Sequence, residues 1–277
     1  MKKYLLMTTI LTTLSGFASA HALAQTNDQE SEETYTLEDD LEIRTKISTG
    51  FDYSKGDYGD TIDTEVWYFP ISARADIGDN WSLGLTVPYL IISGPGTVVG
   101  GEGLTVVNAT RTVKTTEEGL GDISASLTYT FEFEENDTYL DLGGKIKFPT
   151  ADEDKGLGTG ETDYTVNLDL TKMFDQAYVF AGVGRKFYGT NEDLDLDDVW
   201  MYNIGAGYQF TSDIGAGVSY DYREAAGSGD DSSDATIYLT YKLTDDVSLQ
   251  TYGVVGFSDG SPDGGIGSQI SYKFPPL

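Results

Sequence analysis

The sequence predicts an all-β protein, a twelve-stranded antiparallel up-and-down transmembrane β-barrel. Three observations indicate this fold. Apolar and polar residues alternate in twelve successive segments, and short connections alternate with longer ones. After residue 24, no segment has the roughly 18 consecutive apolar residues that a membrane helix needs. Any part of the chain that spans a membrane must therefore use strands.

The N-terminus resembles a secretory signal. Lys2 and Lys3 precede an apolar stretch, Tyr4 to Leu14, and small residues follow up to Ala24. The apolar stretch is too short for a spanning helix, so we predict a cleaved signal peptide over residues 1–24 rather than an anchor helix. Residues 25–40 are acidic and lack any period, which predicts a flexible segment. The barrel is expected over residues 41–277.

Composition excludes several classes of protein. The formal net charge is −29, so a nucleic-acid partner is not expected. The chain has no cysteine, and its one histidine, His21, lies within the predicted signal. Disulfides, thiolate or imidazole metal sites and histidine-dependent catalytic triads are thereby excluded from the mature protein. We predict a protein that is not an enzyme and carries no cofactor.

The central hairpin, Gly119 to Thr150, carries the clearest alternation. Ile123, Leu127 and Phe131 lie on one face of its first strand, and polar residues lie on the other. Glu134 to Asp137 joins this strand to a second one. Strands of this length, aromatic on one face and polar on the other, suit a barrel whose outer face meets lipid and whose inner face meets water.

The remaining strands follow the same pattern. The first, Leu41 to Tyr53, has Ile43, Ile47 and Phe51 on one face and charged residues on the other. The other predicted segments, in chain order, are 62–77, 81–92, 164–170, 177–189, 200–210, 214–222, 237–243, 247–257 and 266–274. In 177–189 the face is ambiguous, because Arg185 and Lys186 cannot both point inward.

Connections and special residues refine the prediction. Short turns near Gly78, Glu134, Asp175, Ser212 and Asp245 alternate with longer loops, of which 93–118 is the longest. This alternation is typical of an outer-membrane barrel, with short periplasmic turns and long outer loops. Tyr and Trp near strand ends predict aromatic girdles, although the β-propensity of aromatic residues is an alternative explanation. Pro70 and Pro88 predict bulges or strand ends, since proline lacks a ladder N–H.

Charged residues are expected on the inner face of the barrel, where they would set the choice of solute. The candidates are Glu42, Arg44, Lys46, Arg74, Asp122, Asp141, Lys145, Lys147 and Asp169. The alternative is a salt-bridge network that fills a narrow interior, because twelve strands lie between filled eight-stranded barrels and open sixteen-stranded ones.

Acidic loops provide weak candidates for a divalent cation site, namely Asp152, Glu153, Asp154, Asp195 and Asp197. Clustered carboxylates are the ligands that hard cations prefer. None of these loops has the spacing of an EF-hand, so solvated loop charge is the favoured interpretation and no metal is predicted.

Three stretches resemble an outer-membrane barrel family named for the meta-pathway of phenol degradation, whose members are described as transporters. They are 87–90 (VPYL), 118–122 (EGLGD), and 145–150 (KIKFPT) with 157–160 (LGTG) and Asp163. The resemblance covers most of the mature chain. It implies transport of small, often aromatic, molecules.

Two functions from different classes follow. The first is a channel or transporter for small, aromatic or hydrophobic solutes across the Gram-negative outer membrane. The alternative is a non-conducting structural barrel that presents surface loops, supported by the long loop 93–118. Expected partners are outer-membrane lipid, lipopolysaccharide, the small-molecule solute and the barrel-assembly machinery, which would read the alternating aromatic C-terminal strand with Ile270, Tyr272 and Phe274.

Overall fold

The computed structural model describes residues 42–59, 61–95, 97–98, 106–107, 115–189, 196–227 and 229–277. The predicted signal peptide, the predicted acidic segment 25–40 and Asp195 lie outside these ranges, and so does Leu41, the predicted first residue of the barrel. Within the described ranges no helix is long and apolar enough to cross a membrane, a finding that has no bearing on strands.

The described chain is built from strands, each beginning where alternation begins and ending at a polar or glycine-containing turn. The strands are β1 (Ile43–Gly56), β2 (Thr64–Ile77), β3 (Trp81–Gly94), β4 (Thr97–Val98), β5 (Val106–Val107), β6 (Thr115–Leu120), β7 (Ile123–Phe133), β8 (Thr138–Phe148), β9 (Asp163–Phe174), β10 (Ala177–Phe187), β11 (Val199–Gln209), β12 (Ile214–Arg223), β13 (Ser232–Lys242), β14 (Val247–Gly256) and β15 (Gly264–Lys273). Two single-turn 3₁₀ helices, Glu134–Asn136 and Glu153–Lys155, lie in connections.

The sheet closes into a ring. Each strand pairs antiparallel with its neighbour, and β1 pairs with both β2 and β15, from Lys46 opposite Lys273 to Lys55 opposite Gly264. Strands β6 and β7 both pair with β3 and together form one strand of the wall, so the wall has 12 strands. The predicted closed antiparallel barrel is confirmed.

One predicted loop is corrected. Residues 93–118 were expected to form a single long loop, but β3 continues to Gly94 and β6 begins at Thr115, so the two ends of this segment belong to the wall. β4 and β5 form a separate two-residue ladder within it. The strong strand propensity of Thr115 and Thr116, which lie opposite Gly94 and Ser93, favours this extra pairing.

The two prolines face each other within unbroken strands, so the predicted bulge or strand end at Pro70 is wrong, whereas a bulge does lie on the strand opposite Pro88. Pro70 pairs with Pro88 across β2 and β3. On the other side of β3 the register changes from Tyr89 opposite Leu120 to Thr86 opposite Ser124, which leaves one extra residue on the β6–β7 side. This β-bulge at 121–123 falls where proline has no N–H to donate. It turns Asp122 into the barrel.

The outer face is apolar and the inner face is polar, as predicted. Ile71, Ile204 and Ile237 are each at least 60 % exposed on the outside. Leu127 and Phe131 also face outward. Outward aromatic groups lie near both ends of the barrel, with Trp81, Tyr129 and Phe131 at one end and Trp200, Tyr202 and Tyr222 at the other. Outward aromatic side chains therefore occur near both ends of the wall, which is where the girdles were predicted.

The outward face yields a test of the membrane assignment. We expect Ile237→Arg to lower the free energy of unfolding by about 2–4 kcal/mol, because it places a charge near the middle of the lipid face. Ile237→Leu, which keeps the surface apolar, should change it by less than about 1.5 kcal/mol. The measurement is urea-dependent folding into lipid vesicles, and equal effects of the two substitutions would contradict a lipid-facing position.

Candidate functional site in the barrel interior

A buried ion cluster lies inside the barrel near the end that carries the long loops. The Lys147 ammonium is 2.9 Å from Asp122 Oδ2 and 3.1 Å from Asp163 Oδ2, and it donates a hydrogen bond to Thr159 Oγ1 at 2.9 Å. Lys186 lies 3.4 Å from the same oxygen of Asp163. Asp122, Lys147 and Asp163 are almost completely buried. Two cations thus balance two carboxylates, which buried charges require.

Asp122 also fixes the start of the loop that follows β8. Its Oδ1 accepts hydrogen bonds from the backbone N–H groups of Thr150 and Ala151, both at 3.0 Å. The Thr150 hydroxyl donates to the Gly121 carbonyl at 3.0 Å and accepts from the Ile123 N–H at 2.9 Å. The bulge between β6 and β7 and the loop after β8 are therefore locked together by one carboxylate and one hydroxyl.

The loop 149–162 then folds into the mouth of the barrel. Leu157 is 1 % exposed and packs with Tyr58, Val66, Leu90 and Ile92. Val66, Leu90 and Ile92 belong to the inner face of β2 and β3, where most barrel positions are polar. The loop explains these inward apolar side chains, because Leu157 packs against them and shields their apolar surface from water.

The stretches that carry the family resemblance meet at this point. The Gly121 N–H donates to the Pro88 carbonyl at 2.9 Å, and a Cβ on Gly121 would lie 2.8 Å from Leu90 Cδ1. Lys147 and Leu157 come from the third stretch. The motifs therefore build the joint that holds the loop 149–162 inside the mouth, in addition to any part that they play in contacting solute.

Three predicted residues lie near the opposite, short-turn end. Arg44 donates to the Gly78 carbonyl at 3.0 Å, which ties β1 to the β2–β3 turn. Arg74 pairs with Asp76 at 2.7 Å and donates to Ser82 Oγ at 2.7 Å. Lys46 lies directly opposite Arg74 in the β1–β2 ladder. Basic residues and their acidic partner Asp76 thus occupy this end of the barrel.

Four predicted residues lie outside both the ion cluster and the short-turn end, and they differ in how far they are buried. Asp141 and Asp169 are directly opposite each other on β8 and β9, and both are buried. Thr130 Oγ1 donates to Asp141 at 2.5 Å, and the Asn167 amide donates to Asp169. Lys145 is half-buried opposite Ser126 and Thr165. Glu42 is exposed, just before β1. Of the nine predicted residues, only Asp122 and Lys147 belong to the ion cluster.

The candidate cation ligands in the loops are spread out. Asp152 is 3.9 Å from Lys155, and the Asp197 N–H donates to the Ala226 carbonyl at 2.8 Å. Glu153 and Asp154 lie in the 3₁₀ turn Glu153–Lys155. Among the described residues no group of three or more acidic, histidine or cysteine side chains could hold a metal ion.

Sequence reasoning missed Asp163, Thr159 and Lys186 as interior residues. Asp163 and Thr159 belong to the third stretch that resembles the family, but the sequence does not show that they contact Lys147. Lys186 was ambiguous because of its neighbour Arg185, and the structure resolves the ambiguity. Lys186 points inward, whereas Arg185 points outward over the Trp200 ring at 5.1 Å and lies 3.7 Å from Glu224. An interfacial cation–π contact explains how the outer face accepts a charge.

Aromatic rings line another part of the inner wall. The hydroxyl oxygens of Tyr178 on β10 and Tyr238 on β13 are 2.9 Å apart and share a hydrogen bond across β11 and β12. Their rings cover Gly207 and Gly217, where a Cβ would collide with them. Phe180 covers Gly205 in the same way. Glycines on β11 and β12 therefore let these rings lie flat against the wall.

Two phenols in the mouth loops are buried, and both lie beyond the ends of the membrane-spanning strands. Burial raises the pKa of Tyr58 to about 12 and that of Tyr188 to about 12. Tyr58 packs in the Leu157 cluster and its hydroxyl is 3.3 Å from Ser54 Oγ. Both groups stay neutral at ordinary pH, so the apolar contacts of the mouth contain no phenolate.

Known proteins resemble the chain in family and in fold. The model of the family described as "Putative MetA-pathway of phenol degradation" matches residues 34–274. A search of curated proteins found no match. Among solved structures, the COG4313 outer membrane channel from Pseudomonas putida F1 has a TM-score of 0.63 at 11 % identity, covering 90 % of this chain and 100 % of that one. The KdgM porin has a TM-score of 0.55 at 12 % identity, with 83 % and 99 % covered. The NanC porin has a TM-score of 0.55 at 10 % identity, with 82 % and 100 % covered.

The ion cluster can be tested by removing its central cation. We expect Lys147→Met to lower the free energy of unfolding by about 3–5 kcal/mol, because Asp122 and Asp163 would remain buried without Lys147. Lys155→Met removes an exposed lysine from the adjacent loop and should cost about 0–1 kcal/mol. Urea titration of the refolded barrel, followed by its heat-modifiable gel mobility, measures both, and a small effect at Lys147 would show that the cluster does not stabilise the fold.

The flat rings give a second test. Gly217→Ala should destabilise the barrel by about 1–3 kcal/mol, because a Cβ there meets the Tyr238 ring and must displace it. Gly144 lies where a Cβ would have nothing within 4 Å, so Gly144→Ala serves as the matched control and should be neutral or slightly stabilising. The same unfolding titration compares the two variants, and equal stabilities would contradict the contact between Tyr238 and Gly217.

Proposed function

We propose, because the chain belongs to the family described as "Putative MetA-pathway of phenol degradation", that it is an outer-membrane channel for small solutes. The observation that carries this proposal is a closed 12-strand wall with an apolar outside and a charged inside. Lipid meets the outer face, and a polar solute can meet the inner one. The names of the similar folds, an outer membrane channel and two porins, support the same conclusion.

The proposal includes how the protein reaches the membrane. Residues 1–24 would direct export and be removed, and the barrel-assembly machinery would insert the barrel beside lipid and lipopolysaccharide. The outward aromatic side chains near both ends of the wall support a position across the outer membrane. The solute class follows from the family: small molecules, with aromatic and hydrophobic ones included. Inward Tyr178, Phe180 and Tyr238 support this class, because aromatic rings offer contact surface to an aromatic solute.

A structural barrel that presents loops is the second candidate. The observation in its favour is the loop 149–162, of which residues 156–159 are buried and Leu157 lies within the mouth. A fixed loop there would obstruct passage. No enzymatic role is proposed, since the similar folds are named as channels and porins.

Conductance of refolded full-length mature protein in a planar bilayer distinguishes the two candidates. We expect steady current that falls when a small aromatic solute such as phenol is added, because a solute in a narrow passage displaces ions. Absence of current at every voltage would favour the structural barrel. Leu157→Ser is the informative variant in that case, since restored current would show that the loop closes an existing passage.

The interior charges make a further prediction. We expect Lys145→Glu to shift the reversal potential in a KCl gradient towards the equilibrium potential of K⁺, because the half-buried Lys145 side chain lines the inner face of β8. Lys155→Glu, in an outer loop, is the control of equal charge change. If both variants shift the potential equally, the effect comes from the surface and Lys145 does not face the pathway. Lys147 is unsuitable for this test because the fold depends on its ion pairs.

A further inference from the structure

A single row of inward-facing positions crosses the wall from β8 to β13. Its members are directly opposite one another in successive ladders, in the order Asp141, Asp169, Gly182, Asn203, Asp221 and Asp234. We call this set the acidic row. Four of its six positions are aspartates, and Asp141, Asp169 and Asp221 are buried.

The acidic row runs between the two ends of the barrel. Asp141 is the fourth residue of β8, close to the short turn 134–137, whereas Asp234 is the third residue of β13, close to the outer loop before it. Each step across the wall moves the row towards the outer end, because the strands of a barrel are tilted. The row therefore rises from the part of the inner face nearer the short turns to the part nearer the outer loops.

Basic residues form a separate row. Lys46, Arg74, Lys145 and Lys186 lie on one line of ladder partners through Gly84, Ser126 and Thr165. On β8 this line passes four residues from Asp141, a separation of about 13 Å at the usual strand rise. The acidic row and this basic row are therefore separate lines of ladder partners, although Arg74 and Lys186 of the basic row pair with Asp76 and Asp163, which belong to neither row.

Asn203 lies at the centre of the acidic row and is the observation that indicates a ligand. It is 5 % exposed, and within the described residues neither its Oδ1 nor its Nδ2 has a hydrogen-bond partner. A buried amide without partners is rare in native proteins, and an unseen ion or water is a usual explanation. Its side chain leans over Gly182 towards Asp169. A Cβ on Gly182 would lie 2.6 Å from Asn203 Nδ2 and within contact of Asp169 Oδ1.

Charge decides which ligand fits. Asp141 faces Asp169, and Asp221 faces Asp234, across adjacent strands. Arg74 offsets part of the charge of the first pair, and Arg223, two residues from Asp221 on β12, offsets part of the charge of the second. Four carboxylates still exceed these two cations, and like charges directly opposite each other are destabilising, so a positive ligand is favoured over a neutral one. No set of three acidic, histidine or cysteine side chains in the described chain is gathered to hold a metal ion. A divalent ion prefers gathered carboxylates, whereas a row of spaced oxygens suits a monovalent ion that moves from one site to the next.

We propose that the acidic row binds small monovalent cations at Asp169, Asn203 and Asp221 and makes the passage cation-selective. The selectivity rests on the channel function proposed above, whereas the binding site does not. Asn203 Oδ1 and the neighbouring carboxylates supply the oxygen ligands of the cation. Gly182 has no side chain, so the side chains of Asp169 and Asn203 can approach each other across it.

The test combines reversal potentials with ion location in the full mature protein. In a KCl gradient we expect the unmodified protein to favour K⁺. Asp169→Asn with Asp221→Asn should bring the K⁺ to Cl⁻ permeability ratio close to unity. Asp213→Asn with Asp259→Asn makes the same change of charge in a turn and a loop outside the row, and it should retain the preference. Asn203→Leu tests the amide alone and should reduce the preference while conserving all charges.

Rb⁺ provides the second readout through its anomalous scattering in crystals. We expect a peak beside Asn203 that is lost in Asn203→Leu. Current without K⁺ preference, or a preference untouched by the row variants, would overturn the selectivity while leaving the channel intact. Current without an Rb⁺ peak would overturn the site. An Rb⁺ peak in a barrel that carries no current would instead support the site and refute the channel function. Heat-modifiable gel mobility verifies that each variant is folded.

Discussion

The whole structure depends on the pairing of β1 with β15. In lipid every backbone N–H and C=O group must be satisfied within the protein, and an open sheet would expose two edges of unpaired groups. Ladder partners from Lys46 with Lys273 to Lys55 with Gly264 remove both edges. Once the ring is closed, alternation assigns each residue to lipid or to the interior. The outward aromatic side chains, the acidic row and the basic row all follow from that assignment.

Closure alone would leave a ring of strands, and the buried ion cluster gives that ring a defined mouth. Asp122, Lys147 and Asp163 are too deeply buried to be stable singly, so each requires the others. The bulge opposite Pro88 is what directs Asp122 inward, and Asp122 then accepts the N–H groups that begin the loop 149–162. The missing N–H of Pro88 is thus linked to the position of the loop 149–162, because the bulge opposite Pro88 turns Asp122 towards that loop.

The sequence was sufficient for most of the fold and for part of the site. Alternation is local, so it correctly predicted the ring and the outward Leu127 and Phe131. The missing N–H groups predicted bulges or strand ends at Pro70 and Pro88, but only the strand opposite Pro88 has a bulge. Alternation could not give partners across the barrel. Nothing local distinguishes Lys147, which is buried between two carboxylates, from Lys145, which is half-buried. The segment 93–118 was misjudged because its glycines and threonines suggested a loop, although Thr115 and Thr116 continue the wall. Asn203 gave no signal at all, since an asparagine on a polar face is ordinary until its neighbours are known.

The glycines beneath Tyr178, Phe180 and Tyr238 have a consequence for how such a protein can change over time. Because these rings lie close to the wall where the adjacent strand has no Cβ, the free width of the lumen depends on the glycines as well as on the strand number. A single added methyl group would turn a ring towards the axis and narrow the lumen while every ladder stayed in register. Descendants of one ancestral ring could therefore come to admit molecules of different girth by substitutions that leave their architecture unaltered.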